Sequence, residues 1–321
     1  MFKKQLEATT YITNILVDHN GNVYLIGRCD KLQFLGKTMQ HRGFLAKMSS
    51  GGETIWVKDF FYDGATIGNG VDATIDHENN LYVTGSFSHY QYFFDGQYIS
   101  ADLCDGFVGK ISGDGNLQWV RIISGYSVQS PGAIHVNALG HIYVAGDFDH
   151  EAKFSENIIL PADTNECEPF VARYDANGNC LWAIQGHGSG AEYVYEVQGD
   201  EQGRVFISGT TRSVNGFVLG EYKVSGTGKY INNSILAQLD SSGNVLGLWN
   251  GPGSYNYINC LTADKKGKLY AAGGCGEGEF NLLGQHFSPE KPAIFIMRLN
   301  TEIYTGISEK DQAKTLQQIQ V

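Results

Sequence analysis

Two acidic residues, Asp72 and Glu196, occupy the same position in an internal sequence repeat. Each lies four residues before a short turn that starts with Asp or Asn. The other three copies carry Asn14, Ala133 and Cys260 at this position. Two carboxyl groups held at one level can share the acid and base or nucleophile roles of glycoside hydrolysis. A glycoside hydrolase that uses Asp72 and Glu196 is therefore one hypothesis, although no third acidic residue shares the level.

A second set of residues suits ligand binding without catalysis. These are aromatic and amide residues in connections that differ from copy to copy, and binding residues are expected to break the symmetry of a repeat. Aromatic faces can stack on sugar rings, while amides form hydrogen bonds, and both also suit a protein partner. The predicted ligand-binding residues are Phe61, Tyr62, Asn69, Tyr126, Tyr193, Tyr255, Asn256 and Tyr257.

Patterns that would indicate a metal ion are incomplete. Residues 175–179 begin like a calcium loop, but Cys180 and Gly186 stand where such a loop needs other residues. His89 and His150 follow the repeat glycine at equal spacing, yet no further zinc ligands accompany them. The sequence therefore predicts no metal site and no cofactor.

The repeat that places these residues returns five times, at intervals of about 60 residues. In the second copy, residues 76–85 form a polar turn followed by a strand-like run that ends in Gly85. A second motif, residues 107–119, places Phe107 before another turn and Trp119 after it. Asp or Asn can start such a turn by accepting backbone hydrogen bonds, and Gly accepts the positive φ that ends it. Each repeat therefore holds two hairpins.

Two hairpins make one four-stranded blade. In the second repeat the predicted strands are 71–75, 81–87, 106–111 and 117–123. A lone blade cannot bury both faces, whereas a ring of five can. The sequence thus predicts an all-β, five-bladed β-propeller over residues 1–307 with four antiparallel strands per blade, and an open β-solenoid is the alternative. Residues 308–321 are predicted to be a polar linker or tail.

Aromatic residues that recur at equivalent positions in the blades, five times for Tyr or Phe and three times for Trp, are expected to pack between blades. They are Tyr24, Tyr82, Tyr143, Phe206 and Tyr270, with Trp56, Trp119 and Trp182.

Ring closure is predicted to involve an N-terminal strand. Residues 1–6 are in register to form the fourth strand of the last blade. Residues 302–307 are an alternative for the same strand.

Composition excludes some partners. A formal net charge of −11 argues against nucleic acid and anionic membrane as partners, because both attract clustered Lys and Arg. No apolar run is long enough to suggest membrane insertion. The basic start at Met1–Lys4 has no apolar segment after it, so this chain shows no signal peptide. Most of the six cysteines are expected to be free.

Residues 71–87, together with 106–119, resemble the bacterial β-propeller repeat family, and all five copies carry the pattern. That resemblance implies a secreted or surface-exposed bacterial protein. The tail ending in residues 317–321 resembles the lead into a type IX secretion sorting domain.

The function favoured by these observations is a non-enzymatic binding scaffold. As a monomer, it would recognise glycan or protein through the face that carries its long loops. The alternatives are the glycoside hydrolase and a structural spacer in a larger adhesin.

Overall fold

The computed structural model describes residues 10–29, 33–39, 43–60, 71–94, 96–161, 167–226, 232–253, 255–264 and 268–299, without the side chains of 89–93, 101 and 102. Within these ranges the chain forms 27 β-strands and no helix.

Blades one and two come from the first 123 residues. Blade one contains β1 (Thr10–Val17), β2 (Val23–Cys29), a small hairpin of β3 (Gln33–Phe34) and β4 (Lys37–Thr38), β5 (Gly43–Met48) and β6 (Thr54–Asp59). Blade two contains β7 (Asp72–Ile75), β8 (Leu81–Phe94), β9 (Gln97–Ile111) and β10 (Leu117–Ile123).

Blades three and four repeat the plan of blade one, and the described part of blade five repeats its first five strands. Blade three contains β11 (Gln129–Val136), β12 (Ile142–Phe148), β13 (Glu151–Lys153), β14 (Ile159–Pro161), β15 (Glu168–Tyr174) and β16 (Cys180–His187). Blade four contains β17 (Glu192–Gly199), β18 (Val205–Thr211), β19 (Phe217–Leu219), β20 (Tyr222–Val224), β21 (Asn233–Leu239) and β22 (Val245–Asn250). Blade five contains β23 (Asn256–Ala263), β24 (Leu269–Cys275), β25 (Phe280–Leu282), β26 (Gln285–Phe287) and β27 (Ala293–Leu299).

These antiparallel sheets are arranged as a five-bladed β-propeller, which confirms the predicted fold class. The first strand of each blade, namely β1, β7, β11, β17 or β23, is the inner strand beside the axis. In blades one to four the sheet has the predicted four strands, and the sheet of blade three continues from β16 into β19 and β20. The main sheet of blade five has three strands in its described part, β23, β24 and β27.

The short turns form as their sequences predict. In the first turn, one carboxylate oxygen of Asp18 accepts hydrogen bonds from the backbone N–H groups of Asn20 at 2.9 Å and Asn22 at 2.8 Å. Gly21 closes this turn at φ +78°. Because a positive φ is costly for most L-residues, the glycine fits this position. These turns define one end of the propeller, called here the turn face, and the other end is the loop-rich face.

The hydrophobic core lies between neighbouring blades. Tyr24, Tyr82, Tyr143 and Phe206 are all at most 3% exposed and belong to successive interblade clusters. This confirms the packing predicted for these four, while Tyr270 is half-buried.

Each of three tryptophans joins its blade to the next one. Trp119 of β10 lies edge-on to Tyr82, with 6.2 Å between the ring centroids. Its indole N–H donates to the carbonyl of Ala176 in blade three at 3.0 Å, and the ring contacts the turn at Gly178. Trp56 and Trp182 make the same type of contact, which confirms their predicted structural role.

The connections between second and third strands are hairpins, whereas the sequence analysis treated them as long loops that differ from copy to copy. In blade two, β8 and β9 extend past the predicted limits, so residues 89–92 belong to a strand and not to a loop. In blades one and five, the turns Leu35-Gly36 and Leu283-Gly284 have positive φ at both residues. Such turns match the twist of paired strands.

The junction between blades one and five has exposed apolar residues. On β1, Ile15 and Val17 are 64% and 63% exposed, and on β27, Ile294 and Ile296 are 82% and 79% exposed. Their sequence neighbours pack against blades two and four, so these residues lie on the faces that blades one and five turn toward each other. The two segments predicted to supply the closing strand, 1–6 and 302–307, lie outside the described residues.

Candidate functional site

A β-bulge in the inner strands positions the residues at the axis. The pairing register shifts between Ile12 and Asn14 in β1, and between Val194 and Glu196 in β17. Equivalent shifts precede Ala133 in β11 and Cys260 in β23. A bulge inserts one residue and re-aims the side chains around it. In four blades the level that the sequence assigned to Asp72 and Glu196 is therefore formed by a repeated β-bulge, whereas the described pairing of β7 starts at Asp72 and has no register shift.

The repeat glycine is required by this bulge. Gly27, Gly146, Gly209 and Gly273 each pair with the residue just before the register shift. A Cβ atom at any of them would overlap a backbone carbonyl oxygen of the inner strand. The glycine thus lets the second strand approach the bulged inner strand closely.

Asp72 links three blades at the axial level. It belongs to blade two, and one of its carboxylate oxygens accepts a hydrogen bond from the Ile134 N–H of blade three at 2.9 Å. The other oxygen accepts one from the Asn14 side chain of blade one at 3.1 Å. Burial raises the pKa of Asp72, although these hydrogen bonds act in the opposite direction.

Glu196 is electrostatically coupled to Asp72. Burial, followed by the charge of Asp72, raises the pKa of Glu196 to about 8. Burial and the charge of Glu196 also raise the pKa of the exposed Cys260 thiol. At neutral pH Glu196 therefore holds a proton that it could donate, and the charge of a second carboxyl group acts on it.

A group of side chains from blades four and five is linked by contacts at the loop-rich face. The guanidinium carbon of Arg212 lies 5.9 Å from the Tyr193 ring centroid. The Nε–H of Arg212 donates to the side-chain oxygen Oδ1 of Asn232 at 2.5 Å. The Asn232 amide in turn donates to the Tyr255 hydroxyl at 3.3 Å. The rings of Tyr255 and Tyr257 meet edge-on at 6.0 Å. These five residues are called the aromatic ledge.

The structure brings together three of the predicted binding residues, Tyr193, Tyr255 and Tyr257. Two further members, Arg212 and Asn232, were not identified from the sequence. Arg212 directly follows β18, and Asn232 directly precedes β21. The connection between these strands has no counterpart of equal length in the other repeats, so it could not be aligned with them. Arg212 is exposed, and Asn232 is 5% exposed.

The other predicted binding residues lie elsewhere. Tyr126 is 75% exposed in the connection between blades two and three, and its ring is 5.7 Å from His150. Asn256 is fully buried, where it accepts from the Ser234 N–H and hydroxyl and donates to the Gly251 carbonyl. Its amide therefore supports the connection beneath the ledge. Phe61, Tyr62 and Asn69 lie outside the described residues.

The described residues also bear on metal and redox chemistry. Within the described ranges, no group of three or more His, Cys, Asp or Glu side chains is arranged to hold a metal ion. None of the six cysteines, all of which lie in the described ranges, takes part in a disulfide bond. No helix in the described part of the chain is long and apolar enough to span a membrane.

Comparison with known proteins identifies no family for this chain. No family model and no curated protein matches this sequence. A solved structure of a protein of unknown function from Bacteroides caccae is similar, with a TM-score of 0.42 and 11% identity over 83% of this chain and 71% of that chain. The extracellular domain of a putative hybrid two-component system from B. thetaiotaomicron gives a TM-score of 0.17 and 12% identity, over 92% of this chain and 50% of that chain. The resemblance to the bacterial repeat family stays a prediction.

Proposed function

We propose that the protein is a carbohydrate-binding propeller, secreted or exposed at the cell surface, whose aromatic ledge holds the glycan. The observation that carries this proposal is the hydrogen-bonded chain from Arg212 through Asn232 to Tyr255. It fixes polar groups beside aromatic rings, and a sugar offers C–H faces for stacking and hydroxyls for hydrogen bonding. Fixed aromatic groups lose little conformational entropy on binding.

A protein ligand would require a different surface. Protein interfaces are usually centred on a contiguous apolar patch surrounded by polar residues. The ledge instead alternates aromatic, guanidinium and amide groups. This composition favours the glycan over the protein partner that the sequence left open.

A glycan array on the purified chain tests the proposal, with Tyr255→Ala and Tyr257→Ala as ledge variants. The wild type should bind a selective set of glycans, and each variant should weaken binding about tenfold, as expected for loss of an aromatic contact. Tyr98→Ala is the matched control, because Tyr98 is 49% exposed on the β8–β9 hairpin of blade two. Equal binding by all four proteins would show that the ledge is not the glycan-binding site. Absence of binding by the wild type would reject glycan binding as the function.

A glycoside hydrolase is the second candidate, and the protonated Glu196 beside Asp72 favours it. Such a pair could supply the acid and the second carboxyl group of the reaction. Chromogenic glycosides provide the test, since Glu196→Gln should abolish turnover while leaving binding at the ledge intact. Turnover equal to the wild type in this variant would reject the hydrolase and leave the binding function in place.

A further inference from the structure

Tyr126 lies on a connection whose frame recurs in three blades. In the connections that lead into β11, β17 and β23, a glycine lies so close to the first side chain of the inner strand that a Cβ atom would overlap it. These fully buried side chains are Gln129, Glu192 and Asn256. The residue after the glycine does not recur, since it is Tyr126 in one connection but Ser189 and Pro252 in the other two. The frame therefore does not require the tyrosine.

This frame fixes the backbone at Tyr126 while leaving its side chain exposed. The backbone of Ser124 forms two hydrogen bonds with that of Lys153, at 3.1 and 2.7 Å. The Gln129 amide donates to the Glu151 carbonyl at 2.8 Å. Tyr126 itself is 75% exposed. An exposed ring on a fixed connection can stack on a ligand with little loss of conformational entropy.

His150 adds a second ring beside Tyr126 on the loop-rich face. The two ring centroids are 5.7 Å apart. His150 has φ +64°, a conformation that is uncommon for residues other than glycine and that often marks a ligand site. The neighbouring Asp149 N–H donates to the Val128 carbonyl at 2.9 Å, which holds the end of β12 beside the connection. Tyr126 and His150 are called the blade-three platform.

A chain of side-chain contacts joins this platform to the aromatic ledge. Asp149 directly precedes His150, and its carboxylate accepts a hydrogen bond from the Cys167 thiol. The thiol in turn accepts a hydrogen bond from the Tyr193 hydroxyl of the ledge. Burial, followed by the hydrogen bond to Asp149, raises the pKa of Cys167 to about 12, so the thiol stays protonated and can donate. The two aromatic groups are therefore connected through Asp149 and Cys167.

Asp147 provides an acceptor between the two aromatic groups. It shares one face of β12 with Tyr143 and Ala145, which belong to the cluster between blades three and four, so its carboxyl group points toward blade four. There its charge acts on Tyr193. Burial, followed by the charge of Asp149, raises the pKa of Asp147 to about 7, and within the described residues no hydrogen bond offsets this rise. A buried carboxyl group is costly without a donor, and a sugar hydroxyl would supply one.

We infer that the glycan site continues from the ledge across Asp147 to the blade-three platform, so that its ligand is an extended oligosaccharide and not a single sugar. This inference rests on the glycan-binding function proposed for the ledge. The rings at the two ends would stack on separate sugar units, and Asp147 would accept a hydroxyl hydrogen bond from a unit between them.

Isothermal titration calorimetry tests the inference with oligosaccharides of increasing length from cellulose, mannan, xylan and starch. For at least one series, the affinity of the wild type should rise from the monosaccharide to the hexasaccharide. Tyr126→Ala should weaken binding of the hexasaccharide about tenfold, as expected for loss of an aromatic contact. It should not affect the shortest oligosaccharide that binds, because that ligand needs only the ledge. Equal affinity at all lengths in the wild type would overturn the inference.

Asp147→Thr tests the region between the aromatic groups. Blade four carries Thr210 at the equivalent position, so the fold should tolerate this variant and its melting temperature should not fall. Binding of the hexasaccharide should weaken about tenfold, as expected for loss of a hydrogen bond to a charged group. Wild-type affinity in this variant would show that the ligand does not cross Asp147, and would overturn the inference.

Two further variants separate this inference from the proposed function. Tyr98→Ala, on the blade-two hairpin, is the control and should bind every length like the wild type. Tyr255→Ala should weaken binding at every length. If it does so while Tyr126→Ala binds all lengths like the wild type, the site ends at the ledge, so the proposed function stands and the inference fails. Absence of binding for all four series would also overturn the inference, whereas the glycan array decides the proposed function.

Discussion

At the scale of single residues, the protein separates repeated structure from unrepeated chemistry. Asp72 satisfies hydrogen-bond donors from two other blades, so its carboxylate is part of the framework. Glu196 has a different environment, because the charge that raises its pKa is that of another acid, Asp72. Burial together with a like charge disfavours the ionised form, which makes Glu196 the residue whose protonation should be measurable.

The first prediction concerns the pH dependence of stability. The pKa of Glu196 is raised from 4.5 in the unfolded chain to about 8 in the folded protein. Between pH 4.5 and 8 the folded state therefore binds one more proton than the unfolded chain. The contribution of Glu196 to the free energy of unfolding is fully present below pH 4.5 and is lost as the pH rises through 8. Because Glu196 is partly exposed, we expect a loss of about 1–3 kcal/mol.

Urea unfolding at several values between pH 4.5 and 8 measures this effect, with Glu196→Gln as the comparison. The variant stays neutral, so the difference between the two curves isolates Glu196 from the other titrating groups. The free energy of unfolding should fall more steeply with pH in the wild type. Parallel curves would show that Glu196 titrates normally.

At the scale of strands, the bulge and its facing glycine form one unit. Gly209 lies opposite the bulge of β17, and a Cβ there would overlap the Tyr193 carbonyl oxygen. Gly132 is the inserted residue in the bulge of β11, and a Cβ there would meet no atom within 4 Å. The same substitution should therefore have opposite consequences at these two positions.

Gly209→Ala should lower the free energy of unfolding by about 1–3 kcal/mol or more, because the overlap is with backbone. Gly132→Ala should change the free energy of unfolding by less than about 0.5 kcal/mol. It could also raise this free energy slightly, because alanine lowers the conformational entropy of the unfolded chain. Chemical unfolding of both variants compares them directly. Equal destabilisation would show that the two glycines serve the same purpose.

The tryptophan contacts yield a second prediction at this scale. Trp119→Ala removes a ring packed between blades two and three and a hydrogen bond to Ala176. Since the ring is partly exposed, the free energy of unfolding should fall by about 3 kcal/mol, which is the lower end of the range for truncation of a large aromatic residue to alanine. Leu181→Ala, at a residue 48% exposed on the neighbouring strand β16, serves as the control. Unchanged thermal stability of Trp119→Ala would refute the packing role.

Features that recur in every repeat could be predicted from the sequence, whereas contacts between the unequal connections could not. Turn residues, interblade aromatics and the level of Asp72 and Glu196 recur five times, so alignment within the chain located them. Arg212 and Asn232 come together through tertiary contacts between unequal connections, and no spacing reveals such contacts. The hairpins between second and third strands had a local signal, Leu35-Gly36 and Leu283-Gly284, but Leu is uncommon at positive φ and does not normally suggest a turn.

At the scale of the whole molecule, the blades are joined by similar contacts at four successive interfaces, and the fifth is different. Exposed aliphatic side chains on β1 and β27 mark this junction. The β27 edge has no partner strand among the described residues, and open edges are liabilities in β-proteins. Ring closure therefore depends on which further segment pairs with β27.

Truncation distinguishes the two candidate segments. If residues 1–6 supply the fourth strand, a chain that starts at Glu7 should melt at a lower temperature, by about 2–4 °C for each kcal/mol lost. Amide hydrogens of β27 should also exchange faster, because their pairing partners are gone. A chain that ends at Ile307 is the control and should match the wild type in both measurements. If the chain that starts at Glu7 keeps its melting point and one that ends at Thr301 loses stability, residues 302–307 close the ring instead.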